Sequence, residues 1–157
     1  MRNLMLKVLV SVLALQALFF ASPAVVQAQE TTCPPPTPVS VDIKPGDYPN
    51  QIKLSARGVL PVALLGTPDF NAGQFTPEMA HLSDAVLATT TECAGAAAIR
   101  WNYEDVNSDG RLDLVFFFRI QDLNLTPGST AATLMAHGAY NSTVIHTVGT
   151  DSVQVKP

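Results

Sequence analysis

The chain has 157 residues, with 9 Lys and Arg, 13 Asp and Glu, 3 His and 2 Cys. A net charge of −4 at pH 7 gives no support to a nucleic-acid or anionic-membrane surface. Two cysteines without a C-x-x-C pair fit neither a structural zinc site nor a redox motif.

The first element in chain order is a signal peptide over residues 1–28. Arg2 and Lys7 form a short basic region, and residues 8–21 are mostly apolar, on the scale of a signal-peptide core. Val26 and Ala28 stand at the small −3 and −1 positions before Gln29. A membrane anchor needs roughly 20 apolar residues, and Gln16 and Pro23 interrupt this run. Cleavage leaves 129 residues, enough for one domain, with 7 basic against 13 acidic side chains. The expectation is a soluble protein, extracellular or periplasmic, that leaves the membrane once the leader is removed.

In that oxidising setting Cys33 and Cys93 read as one disulfide. Closing a loop of about sixty residues stabilises by roughly 4 kcal/mol at most. Intermolecular pairing or two free thiols are the alternatives.

Residues 29–38, "QETTCPPPTP", form a proline-rich linker, since consecutive prolines favour extended geometry and cannot donate to a sheet. From Val39 short β segments alternate with turns. "VSVDI" ends at Pro45-Gly46 and Tyr48-Pro49-Asn50, and "QIKLSA" places Ile52 and Leu54 on one face. "GVLPVALLG" reads as a buried strand in which Pro61 demands an edge position or a bulge. Across residues 67–97 turn clusters dominate, with one short strand near residues 79–82 and an Ala-rich stretch suited to a helical turn.

Strands resume with "AIRWNY". In "LDLVFFFRI" period-two alternation puts Leu112, Leu114, Phe116, Phe118 and Ile120 on one face. Its other face carries Asp113, Val115, Phe117 and Arg119, so this strand is expected to be central, with Asp113 and Arg119 as charged gatekeepers. "TAATLMAHG", "STVIHTV" and "DSVQVK" close the chain. Eight to ten short strands at about ten-residue spacing predict an all-β, antiparallel sandwich over residues 39–157.

Between two of these strands lies "EDVNSDGRLDL", residues 104–114. With Asp105 as position 1, Asn107 falls at 3, Asp109 at 5, Gly110 at 6, Arg111 at 7 and Asp113 at 9. Calcium is a hard cation that takes six to eight oxygens, and alternate positions aim side-chain oxygens at one point. Gly110 lets the backbone turn so that the Arg111 carbonyl joins them, and Asp113 coordinates directly or through water. The spacing matches the first nine positions of an EF-hand loop, but Phe116 stands where the bidentate Glu belongs, and both flanks read as strands. The prediction is a strand–loop–strand calcium site, a structural staple rather than a sensor, with Glu104, Asp122 or water completing the shell. The competing reading is a solvated acidic turn.

"VDIKPGDYPNQIKLSARGVLPVALLGTPDFN", "EDVNSDGRLDLVFFFRIQD" and "GTDSVQV" together resemble a secreted bacterial β domain of the pattern I-K-P-G-S-x-P-N, I-P-V-A-I-L-G-T, E-D-V-N-G-D-G-x-x-D-L, G-x-D-S-V. That family occurs in uncharacterised extracellular proteins, sometimes beside thrombospondin type 3-like calcium repeats. The similarity runs from Val41 to Val155 and is poor across residues 71–100. It implies a calcium-stabilised β domain with no activity attached, whose loop ligands are Asp105, Asn107, Asp109 and Asp113. This chain departs in having Ser108 where Gly is frequent and Phe117 where a polar residue or His is common.

No H-E-x-x-H, G-x-S-x-G or phosphate-binding Gly loop is present. His137 and His146 are placed to face each other across a hairpin, with His81 elsewhere, and all three read as structural. Trp101 and Tyr103, two apart beside the acidic loop, are expected in the core. Were they exposed, they would form a sugar-stacking or partner-binding platform. Asn124-Leu-Thr and Asn141-Ser-Thr are glycosylation sequons only in a eukaryotic source.

The functional expectation is a non-enzymatic, calcium-stabilised module, structural or adhesive at the cell surface, whose partner is an extracellular protein or polysaccharide. A carbohydrate-binding module using Trp101 and Tyr103 is the runner-up. A hydrolase with calcium at its active site is the third class, and a carboxylate pair in a pocket away from residues 104–113 would point to it.

Overall fold

The computed structural model describes residues 35–85 and 95–157. Residues 1–28, expected to be a signal peptide, and Cys33 and Cys93, expected to pair, lie outside the described residues.

Eleven strands are found among the described residues: β1 Thr37–Pro38, β2 Val41–Ile43, β3 Gln51–Lys53, β4 Val59–Leu64, β5 Phe75–Asp84, β6 Ala96–Ala97, β7 Arg100–Glu104, β8 Asp113–Arg119, β9 Ala131–Tyr140, β10 Thr143–Ser152 and β11 Gln154–Lys156. They form a five-stranded sheet in the order β1-β10-β9-β5-β6, a four-stranded sheet in the order β2-β4-β8-β7, and a β11-β3 pair. Pairing is antiparallel except for β1 with β10 and β11 with β3. The protein is all-β, with two main sheets in an arrangement consistent with a β-sandwich.

One apolar cluster joins the sheets. Val62, Leu64, Leu114, Phe116 and Phe118 enter it from the four-stranded sheet, and Phe75, Leu82, Leu134 and Ala136 from the five-stranded one. Period-two alternation explains the selection, because every second residue of a strand points to the same side. β8 lies between β4 and β7, central as expected, and Leu114, Phe116 and Phe118 are fully buried. Leu112 is the exception on that face. It precedes the strand and is exposed.

Asp113 corrects the gatekeeper expectation, since it is fully buried. A buried carboxylate needs donors, and it has two: the Gly66 N–H at 2.7 Å and the Val106 N–H at 2.9 Å. Gly66 is required there because an added Cβ would lie 2.5 Å from the Leu112 carbonyl oxygen.

β4 is interior, yet Pro61 finds a local edge. Its carbonyl accepts from the Lys44 N–H, one residue beyond the end of β2, so the ladder position its ring cannot serve falls where that neighbour stops. The residues 79–82 segment is part of a ten-residue strand, β5, with a register shift between Pro77 and Met79 that blurs its alternation. Ala96–Ala97 is extended rather than helical, held by pairing with His81 and Leu82. Thr37 and Pro38, at the end of the proline-rich stretch, form an edge strand beside Thr147 and Val148. The β9–β10 hairpin turns on Asn141 and Ser142, both at positive φ (48° and 65°), the combination that matches strand twist in two-residue loops.

Candidate functional site

The acidic loop leaves the end of β7 and returns at the start of β8, whose Glu104↔Asp113 register closes its neck. Inside, the side chains organise the backbone. The Asp109 N–H is shared between Asp105 Oδ1 at 3.1 Å and Asn107 Oδ1 at 3.0 Å. Asp105 Oδ2 accepts the Gly110 N–H at 2.9 Å, and Asp109 Oδ1 accepts the Arg111 N–H at 2.8 Å. Two residues adopt left-handed backbone, Ser108 at φ 59° and Gly110 at φ 82°.

These contacts bring Asp105, Asn107 and Asp109 together as the spacing implied. Asp113 makes its hydrogen bonds elsewhere: its oxygens accept from Gly66 and Val106 at the base of the loop. Glu104 is exposed and accepts a 3.3 Å hydrogen bond from the Asn102 amide. Asp122 belongs to a short 3-10 turn, Ile120–Asp122, beyond the far end of β8. Seven strand residues at about 3.3 Å each put it roughly 20 Å or more from the loop, so it cannot serve the shell. Among the described residues no three His, Cys, Asp or Glu side chains form a ready metal cage. A cleft of about 340 Å³ adjoins the loop, lined by Gly66, Thr67, Pro68, Asn71 and residues 110–112.

Trp101 and Tyr103 depart from the core expectation. They pair with Phe116 and Leu114 and so share the core-facing side of β7. β7 is the edge strand, however, and among the described residues no strand lies beyond it: Trp101 is 45% exposed and Tyr103 40%. The Tyr103 hydroxyl donates to the Phe75 carbonyl at 2.7 Å, tying the two sheets at this edge. On the other face of β7 the Arg100 guanidinium stacks 3.6 Å from the Phe117 ring centroid. His137 and His146 are register partners, as the hairpin placement implied.

A second group was not singled out in the sequence, because its members lie about a hundred residues apart. Asp151 Oδ2 accepts the Ile43 N–H at 2.9 Å and the Asn50 amide at 2.8 Å, and the same amide reaches the Ser152 carbonyl at 2.9 Å. Asn50 is buried. "IKPGDYPN" and "GTDSV" are thus clasped to each other. Asp42 and Asp151 line a cleft of about 440 Å³ with Asp47 and the exposed Tyr48. Burial pushes the Asp42 carboxyl above its usual range, and the negative charges of Asp151 and Asp113 push the same way. Both Asp151 oxygens are engaged by donors, Oδ1 with the Ser152 N–H at 2.7 Å. The pair therefore reads as a chain clasp rather than an acid–base couple.

No protein-family model matches this chain, and no curated protein matches it either.

Proposed function

We propose that this chain is an exported, non-catalytic β-sandwich module whose 105–113 loop takes calcium as a structural staple. In this reading it serves adhesion or assembly outside the cytoplasm, against an extracellular protein or polysaccharide. The observation that carries the calcium reading is the shared Asp109 N–H, which gathers oxygens of Asp105 and Asn107 within about 3 Å of one nitrogen. Hard oxygen donors on alternate loop positions suit calcium and nothing softer. Asp105, Asn107 and Asp109 would hold the ion with the Arg111 carbonyl, and Glu104 or water would complete the shell. Asp113 supports from below. The leader-like residues 1–28 and the resemblance of three motif blocks to a secreted calcium-stabilised domain favour export.

The test is a thermal melt of the protein in excess EDTA and in a calcium series to several millimolar. A midpoint that rises with calcium and no longer does so in Asp109→Ala supports the staple. Superimposable melts at every concentration remove it.

The exposure of Trp101 favours a second reading, a carbohydrate-binding module using Trp101 and Tyr103 beside the loop. Chain-length-dependent quenching of Trp101 fluorescence by a soluble polysaccharide would support it, and unchanged emission across a panel of glycans would dismiss it.

A further inference from the structure

All three histidines of the chain, and both methionines after residue 28, occupy one patch. They come from three strands that are distant in sequence. His137 on β9 is the register partner of His146 on β10, with ring centroids 4.0 Å apart at 57°. On the other side of β9, Met79 is the partner of His137, and His81 is the partner of Met135. All five sit on the face turned from the core, because the alternating residues Ala80, Leu82, Leu134 and Ala136 belong to the buried cluster. Directly opposed side chains have Cβ atoms about 4.5–5.5 Å apart, and diagonal ones about 7–8 Å, within reach of His and Met.

We propose that this patch binds copper(I), with His137 and His146 as nitrogen donors and Met79 as sulfur donor, bordered by His81 and Met135. The donor types decide the metal. Imidazole and thioether donors together suit a soft, low-coordinate cation better than calcium or magnesium. A thioether is also a poor ligand for zinc, which prefers thiolate, imidazole and carboxylate. His81 adds a second indication, since its Nδ1 is buried without a hydrogen-bond partner. A polar nitrogen in that position calls for an explanation, and a neighbouring cation of this class gives one.

The test is an anaerobic titration in which the protein competes with bicinchoninate for Cu(I), run on wild type and on Cys33→Ser/Cys93→Ser, because free thiols would themselves take the ion. One equivalent withdrawn in both backgrounds is expected. His137→Ala and His146→Ala should abolish it, Met79→Leu should weaken it, and His81→Ala should weaken it about tenfold. In case a variant fails to fold, the imidazole proton signals of wild type are followed in the same titration, and those of His137 and His146 should shift first. The proposal is overturned by no withdrawal, by withdrawal that vanishes with the cysteines, or by binding that leaves these imidazole signals unmoved.

Discussion

The Gly66 N–H donates to the Asp113 carboxylate at 2.7 Å across 47 residues of chain, and Val106 uses the other carboxylate oxygen at 2.9 Å. One buried side chain thus fastens the acidic loop to the segment after β4. Asp113→Ala leaves both donors without a partner, and each buried orphan costs about 1–3 kcal/mol. A loss of about 3 kcal/mol is expected in urea unfolding in EDTA, with a smaller loss for Asp113→Asn. An unchanged midpoint for Asp113→Ala would show that water replaces the carboxylate.

Asp109→Ala should behave in the opposite way, with a modest effect in EDTA and a large one in calcium. A site with a dissociation constant of about 10⁻⁴–10⁻³ M stabilises by roughly 1.4–2.7 kcal/mol at about 10 mM calcium. Denaturation of wild type and variant with and without the ion should show that increment in wild type alone.

Ser108 carries a backbone conformation that costs a residue with a Cβ about 1–2 kcal/mol. Glycine avoids most of this and returns part of the gain through greater unfolded-state entropy. Ser108→Gly should therefore stabilise by about 0.5–1 kcal/mol, in EDTA and calcium alike. Calorimetric midpoints that fall below wild type would contradict it.

Asp42 supplies a pH signature. Its carboxyl is raised by burial first and by Asp151 and Asp113 second, so the folded state holds the proton more tightly than the unfolded chain. Stability from this group then falls as pH rises through the aspartate range. Asp42→Asn should raise the melting midpoint at pH 7, and the advantage should disappear below about pH 4, where the unfolded carboxyl is also protonated. Parallel melts of the two proteins from pH 3 to pH 7 are the measurement.

Much of the fold was legible because burial follows alternation. Leu114, Phe116 and Phe118 announce the core face of β8, and the turn residues around 45–50 fall between strands. The acidic loop was legible because its residues are contiguous. Trp101 and Tyr103 were misplaced because composition reveals which side of a strand they take, and sheet order decides whether anything covers that side. Asp113 was misread for a related reason: a charge in an apolar strand looks solvated until a donor such as Gly66 N–H is brought to it from elsewhere. The histidine–methionine patch and the Asn50–Asp151 clasp exist only in three dimensions.

The ends of the two main sheets carry a final consequence. Three of the four outermost strands, β1, β6 and β2, are only two, two and three residues long, and β7 has five. Unpaired strand edges invite other chains to add to a sheet. The short strands cover only part of the long ones behind them, β6 pairing with two residues of β5 and β1 with two of β10, while along β7 the aromatic rings of Trp101 and Tyr103 stand half in solvent. β7 is thus the longest of the outermost strands, and a chain adding to the four-stranded sheet at that strand would meet five residues of ladder beside two half-exposed rings.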